Sequence, residues 1–341
     1  MKRTVLPIIV LAASLSQVAN AQTSSSTPII GYYKFDVPAG QSAWVCGFVT
    51  KKDFQSQATS VAPGANMPDG TPTTVITQTG AGWANNAFPL HYVEIISAGA
   101  TQGLIMDVVS NTATTVRVRG TVTGTPTYCI RKHATLKGVF QDIGALVPFS
   151  DSVTVYNSNN TLSSYFPTGT GGNWVADDFA TPANDSIIYP GQGFIIAASS
   201  NTVITTGGGE VSYVKTGPTQ VPVYRGQTNF VGHVTPLVAT QPADPLYNVD
   251  GTATVAGGRV KLVDLGITTS GLEPFVDSTT LFTQGGNLDP AGGYYVSGGN
   301  VYADDFATIS NNVTLRNGYS VVISAENANR VVTFPQLYPA N

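Results

Sequence analysis

The chain alternates apolar and polar residues over short stretches and then breaks. Thr114-Thr115-Val116-Arg117-Val118-Arg119 and Ser152-Val153-Thr154-Val155-Tyr156 repeat with period two, the spacing of a strand with one buried face. Phe194-Ile195-Ile196-Ala197-Ala198 and Ser320-Val321-Val322-Ile323-Ser324 are short apolar runs that follow glycine-containing turns, which predicts buried strands. Gly-Gly, Asn-Gly, Asp-Gly and Pro-Gly pairs punctuate the whole length. No segment carries a long apolar stripe at helical spacing, and only two short helices fit, near residues 134–141 and 260–265. The pattern predicts an all-β protein.

The strand pattern is written twice. VADDFAT at 175–181 returns as YADDFAT at 302–308, and over residues 176–198 ten of 23 positions match those 127 residues later. Upstream the offset is 126, where LVPFSDSVT (146–154) lies on LEPFVDSTT (272–280). Further back, VPAGQSAWV (37–45) resembles VYRGQTNFV (223–231) at an offset of 186. An internal duplication accounts for this order, and the change of offset places about 60 extra residues in the first copy, within 57–132. That insertion has its own strand signals, His91–Ile96 and Gly103–Val109 around a glycine-containing turn, which predict a small β-meander. The expected architecture is two related tandem sandwich- or barrel-like domains, at 31–216 and 217–341. In each ADDFAT loop the aspartates are expected to cap backbone N–H groups, with Phe179 and Phe306 plugging the core below.

The first residues follow a different logic. Met1-Lys2-Arg3, a dozen apolar residues and Val18-Ala19-Asn20-Ala21 read as a secretory signal peptide over 1–21, followed by a Ser- and Thr-rich flexible leader over 22–30. The apolar run is too short to span a bilayer, and no other stretch suggests a transmembrane segment. The expected localisation is export through Sec to the periplasm, cell surface or medium. Removing Lys2 and Arg3 leaves 14 basic against 20 acidic residues, a net charge of −6. Charged residues make up only 11% of the chain, against about 25% in ordinary domains. So sparse a positive charge neutralises few phosphates and argues against nucleic acid as a partner. Short strands cut by Pro and Gly also argue against an outer-membrane barrel. The two cysteines, Cys46 and Cys129, flank the insertion, and in an exported chain they predict one disulfide clamping its base.

RKHATLKGVF (131–140), DSVTVYN (151–157), YPGQGFII (189–196) and GQTNFVG (226–232) follow one another here. That order resembles an uncharacterised family of Sec-exported, β-rich bacterial proteins, often present as several paralogues in one genome. The resemblance covers most of the mature chain. It implies an exported β-rich protein, and because the family has no assigned activity it carries over no catalytic residue.

Candidate chemistry is sparse. His91, His133 and His233 stand in no zinc-ligand spacing, there is no Gly-x-Ser-x-Gly elbow, and Gly207-Gly208-Gly209 reads as a hairpin turn. The acidic sets Asp151 with Asp177 and Asp178, and Asp277 with Asp304 and Asp305, are candidate calcium ligands, because calcium takes six to eight oxygens and loop carboxylates supply them. Trp83, in a Gly- and Asn-rich loop, is the candidate for stacking on a sugar ring. Trp44, Trp174, Tyr294 and Tyr295 are further aromatic candidates, with Trp44 and Trp174 expected in the core. These features predict a non-enzymatic, secreted or cell-surface structural or interaction protein that contacts itself or surface glycans. A carbohydrate-binding module is the alternative, and a hydrolase using a carboxylate pair is the third reading.

Overall fold

The alternating segments are strands. β8 (Thr115–Arg119) buries Val116 and Val118, and β11 (Ser152–Tyr156) buries Val153 and Val155, each with its intervening residues less buried. The apolar runs are central strands: β15 (Gly193–Ala198) and β24 (Ser320–Ser324) each lie between two neighbours. The structure, a computed structural model, describes residues 32–335 apart from 47–48, 141–145, 158, 160, 170–171, 208–214, 216, 233–258, 283–287 and 317–319. The signal peptide, the leader, His233 and the turn at 208–209 lie outside the described residues. Strand makes up 48% of the chain and helix 4%, against about 20–25% strand in average domains, so the fold is all-β, with several antiparallel sheets including a half-barrel. Among the described residues no helix is long and apolar enough to cross a membrane.

Two five-stranded sheets have the same strand order. In the first, β2 (Gln41–Cys46) is followed by β15, β11, β12 (Leu162–Pro167) and β13 (Trp174–Ala176). In the second, β18 (Asn229–Gly232) is followed by β24, β20 (Ser278–Phe282), β21 (Leu288–Ser297) and β22 (Asn300–Tyr302). Each sheet has the same two accompanying strand pairs. β1 (Tyr32–Val37) with β16 (Thr202–Gly207) matches β17 (Thr219–Val223) with β25 (Arg330–Phe334). β10 (Ala134–Thr135) with β14 (Ile187–Ile188) matches β19 (Arg259–Lys261) with β23 (Thr314–Arg316). Even the helical turns correspond: α1 (Leu136–Val139) follows β10, and a 3₁₀ turn (Leu262–Leu265) follows β19. The two sheets, one in each half of the chain, thus share strand order and accompanying strand pairs.

The halves are not packed as separate beads. One buried cluster takes Val45, Phe194 and Ile196 from the first half and Val231, Ile323 and Phe334 from the second. The sheets approach through β2 and β15 on one side and β18 and β24 on the other, which leaves β13 and β22 as the edges remote from the junction. Burying each such side chain contributes roughly 1.5–3 kcal/mol.

The insertion is larger than a meander. Its seven-stranded antiparallel sheet runs β3 (Lys52–Gln57), β9 (Thr127–Lys132), β6 (His91–Ile95), β7 (Ile105–Asn111), β8, β5 (Thr73–Thr77), β4 (Ser60–Gly64). It covers a second core containing Ile76, Val93, Ile95, Val118 and Ile130. The β6–β7–β8 meander is its centre. Its first and last strands, β3 and β9, pair directly, with Lys52 opposite Arg131.

That pairing corrects the disulfide expectation. Cys129 is a free, buried thiol on β9, whereas Cys46 belongs to β2 in the first five-stranded sheet, opposite Gly193. The backbone ladder between β3 and β9 closes the base that a disulfide was expected to clamp. The Cys129 thiol instead points to Glu94 Oε2 at 3.5 Å. Burial, and then the Glu94 carboxylate, push this thiol up to about 12, so it is protonated and unreactive at neutral pH.

Glu94 centres a buried ionic network. Its Oε2 accepts from Arg131 Nε at 2.8 Å, and its Oε1 pairs with Lys215 Nζ at 2.8 Å. Lys215 also donates to the Pro218 carbonyl and to Thr219 Oγ1. The network therefore ties the connection between the halves to the inserted sheet. Burial alone would raise the Glu94 pKa, but Lys215 and then Arg131 outweigh it and bring the carboxyl down to about 2. Burial also holds the Lys215 ammonium below its usual range, against the pull of Glu94.

Candidate functional site

The repeated ADDFAT loop builds the same corner twice, at the remote edges β13 and β22. After β13, the Phe179 amide donates to the Ala176 carbonyl at 2.9 Å, and the Ala176 amide donates to the Thr181 carbonyl at 2.9 Å. Asp178 Oδ1 accepts from the Ala180 and Thr181 amides at 2.9 and 2.8 Å, while Oδ2 accepts from the Thr181 hydroxyl. After β22, Ala303, Asp305, Phe306, Ala307 and Thr308 repeat every one of these bonds. The caps are the local side chain-to-backbone bonds expected of Asp in turns. They hold both carboxyls below the usual carboxylate range, through the Thr181 or Thr308 hydroxyl first and then the amides.

The phenylalanines do not plug the core. Phe179 is 52% exposed and Phe306 49%. Both have positive φ, 56° and 57°, a left-handed conformation that costs a residue with a Cβ roughly 1–2 kcal/mol. A second phenylalanine joins each. Phe149, at φ 57°, donates its amide to the Pro167 carbonyl, and Phe275, at φ 56°, donates to the Val296 carbonyl. These two are also exposed. At the first corner Phe179 packs on Phe166 (ring centroids 4.7 Å apart) and Phe149 (6.3 Å). At the second, Phe306 packs on Tyr295 (4.5 Å) and Phe275 (6.1 Å), and Phe275 on Tyr302 (5.1 Å). The exposed carboxylates of Asp177 and Asp304 sit in the same loops.

The acidic sets expected to hold calcium are not gathered. Asp151 is fully buried, accepting from Val147 N at one oxygen and from Ser199 N and Oγ at the other, each at 2.7 Å. Asp277 is buried in the same way, accepting from Glu273 N, Glu326 N and Arg330 Nε. These two aspartates fasten the Phe149 and Phe275 turns to the chain after β15 and β24. Among the described residues no three His, Cys, Asp or Glu side chains converge as a metal site.

The other candidates have structural surroundings. Trp83 is half-buried against the second core, in T-shaped contact with Phe54 (4.9 Å) and Phe88 (5.4 Å). Trp174 and Tyr294 are core residues, while Tyr295 belongs to the second aromatic corner. The side chain of Trp44 lies outside the described ones. His91 meets Asp53 at 3.1 Å, and buried His133 meets Asp107 at 3.1 Å between the rings of Tyr92 and Tyr189. No family model, no curated protein and no solved structure matches the chain.

Proposed function

We propose that this chain is a non-enzymatic interaction protein, exported from the cell, that engages other surface components through two equivalent aromatic corners. The observation that carries the reading is the choice of phenylalanine at four exposed positions with positive φ. Glycine or asparagine meets that backbone geometry at lower cost, and a polar side chain meets the exposure at lower cost. Phenylalanine incurs both penalties, four times, in matching places. Strain held at an exposed aromatic cluster is the signature of a contact surface more than of a fold requirement. The corners lie on the two edges remote from the junction, so one molecule presents two contact points. Export rests on the basic, apolar and small-residue sequence of 1–21.

The test replaces Phe179 and Phe306 together by Asn, which tolerates the same φ. The mature chain and this double variant are compared by sedimentation velocity for self-association and by co-sedimentation with insoluble cell-wall glycan. At least one of these associations should be present in the parent and weakened at least tenfold in the variant, with the circular dichroism spectrum unchanged. Equal behaviour of the two proteins in both assays would remove the corners from the function.

A further inference from the structure

A separate cavity of ≈ 480 Å³ opens where the inserted sheet and the two halves come together, within the ~300–1,000 Å³ range of small-molecule sites. Each unit supplies a wall. Asp107 comes from the insertion, Tyr156, Tyr189 and Gln192 from the first half, and Tyr224 and Gln227 from the second. The walls are fixed before any ligand arrives. Tyr189 donates its hydroxyl to Asp107 Oδ2 at 3.2 Å, while the other Asp107 oxygen meets His133 Nε2 at 3.1 Å. The Gln192 amide spans the Tyr156 carbonyl and the Tyr189 N–H, at 3.1 Å each. Asn229 is held by the Tyr224 amide and by carbonyls of Tyr224, Gln227 and Ile323. The Tyr156 ring is backed by Phe230, with centroids 4.3 Å apart. Gly191, at φ +78°, brings the backbone so close to Val221 that a Cβ there would overlap it.

The remaining polar capacity defines the ligand. Asp107 meets Tyr189 at one oxygen and His133 at the other, and Arg119, the cation on the wall, is paired with Asp69 at 3.1 Å. Both charged groups on the wall are thus already engaged by protein partners. Among the described residues, the hydroxyls of Tyr156 and Tyr224 and the side-chain amide of Gln227 have no protein partner. Tyrosine faces with hydroxyl and amide groups at their rims match a ring with apolar C–H faces and equatorial hydroxyls. We infer that this cavity binds a small neutral saccharide, at a site distinct from the aromatic corners.

The inference is tested on the mature chain by isothermal titration and tyrosine fluorescence with glucose, N-acetylglucosamine, maltose and cellobiose, and with glucuronic acid as a charged comparison. Saturable binding of at least one neutral sugar is expected, with weaker binding of glucuronic acid. Y224F and Q227A remove only groups that have no protein partner among the described residues, so both variants should fold, and each should weaken binding about tenfold. The Phe179→Asn, Phe306→Asn double variant should bind the sugar like the parent, which separates this site from the corners. No saturable binding of any neutral sugar, or binding that Y224F and Q227A both leave unchanged, would overturn it.

Discussion

At the scale of the residue, the four phenylalanines are where the chain departs from the least costly choice. Replacing Phe179 or Phe306 by Asn relieves a left-handed strain of roughly 1–2 kcal/mol and gives up the packing of a ring that is about half exposed. Urea unfolding of each single variant should therefore give a stability within about 1 kcal/mol of the parent. Phe179→Val, β-branched and disfavoured at positive φ, should lose clearly more than the Asn variant. The caps in these loops were legible in the sequence, because Asp178 bonds partners only two and three positions away. The exposure of the rings was not. Phe149 donates its amide to the Pro167 carbonyl on β12, and nothing local to Pro148-Phe149-Ser150 encodes that contact.

At the scale of the element, the inserted sheet replaces covalent closure with strand pairing and a buried charge cluster. Cys129 should resist iodoacetamide in the native protein and be alkylated only after denaturation, as peptide mapping would read. Glu94→Gln leaves the Arg131 and Lys215 cations buried without a counter-charge and should destabilise the protein by about 3–5 kcal/mol, measured by denaturant unfolding. The carboxyl titrates near 2 in the folded chain against 4.5 as its ordinary value. A depressed acid contributes its stability in full above about pH 4.5 and loses it as pH falls toward 2. The parent should therefore lose stability across that window, and Glu94→Gln should lose less over the same range. Strands such as β8 and β11 could be read directly from alternation. Which strands pair could not: β3 meets β9 across 70 to 79 residues of chain, and Cys46, close to β3 in sequence, sits in a different sheet.

At the scale of the whole molecule, the shared strand order of the two sheets was foreshadowed by the repeated turn segments, whereas the junction was not legible, because it is made by apolar side chains that any strand could carry. One core draws on both halves, so calorimetry of the mature chain should show the two halves unfolding in one transition, with calorimetric and van't Hoff enthalpies equal for that part. Two resolved transitions, one per half, would contradict a shared core. The pairing of β3 with β9 has an engineering consequence as well. Neighbouring strands lie about 4.8 Å apart, so the insertion enters and leaves the body almost at a single point. That makes 52–132 a natural graft site. A foreign domain whose own termini are adjacent could stand there without prising the body open. Lys215 would then have lost Glu94, and Lys215→Met would have to travel with the graft.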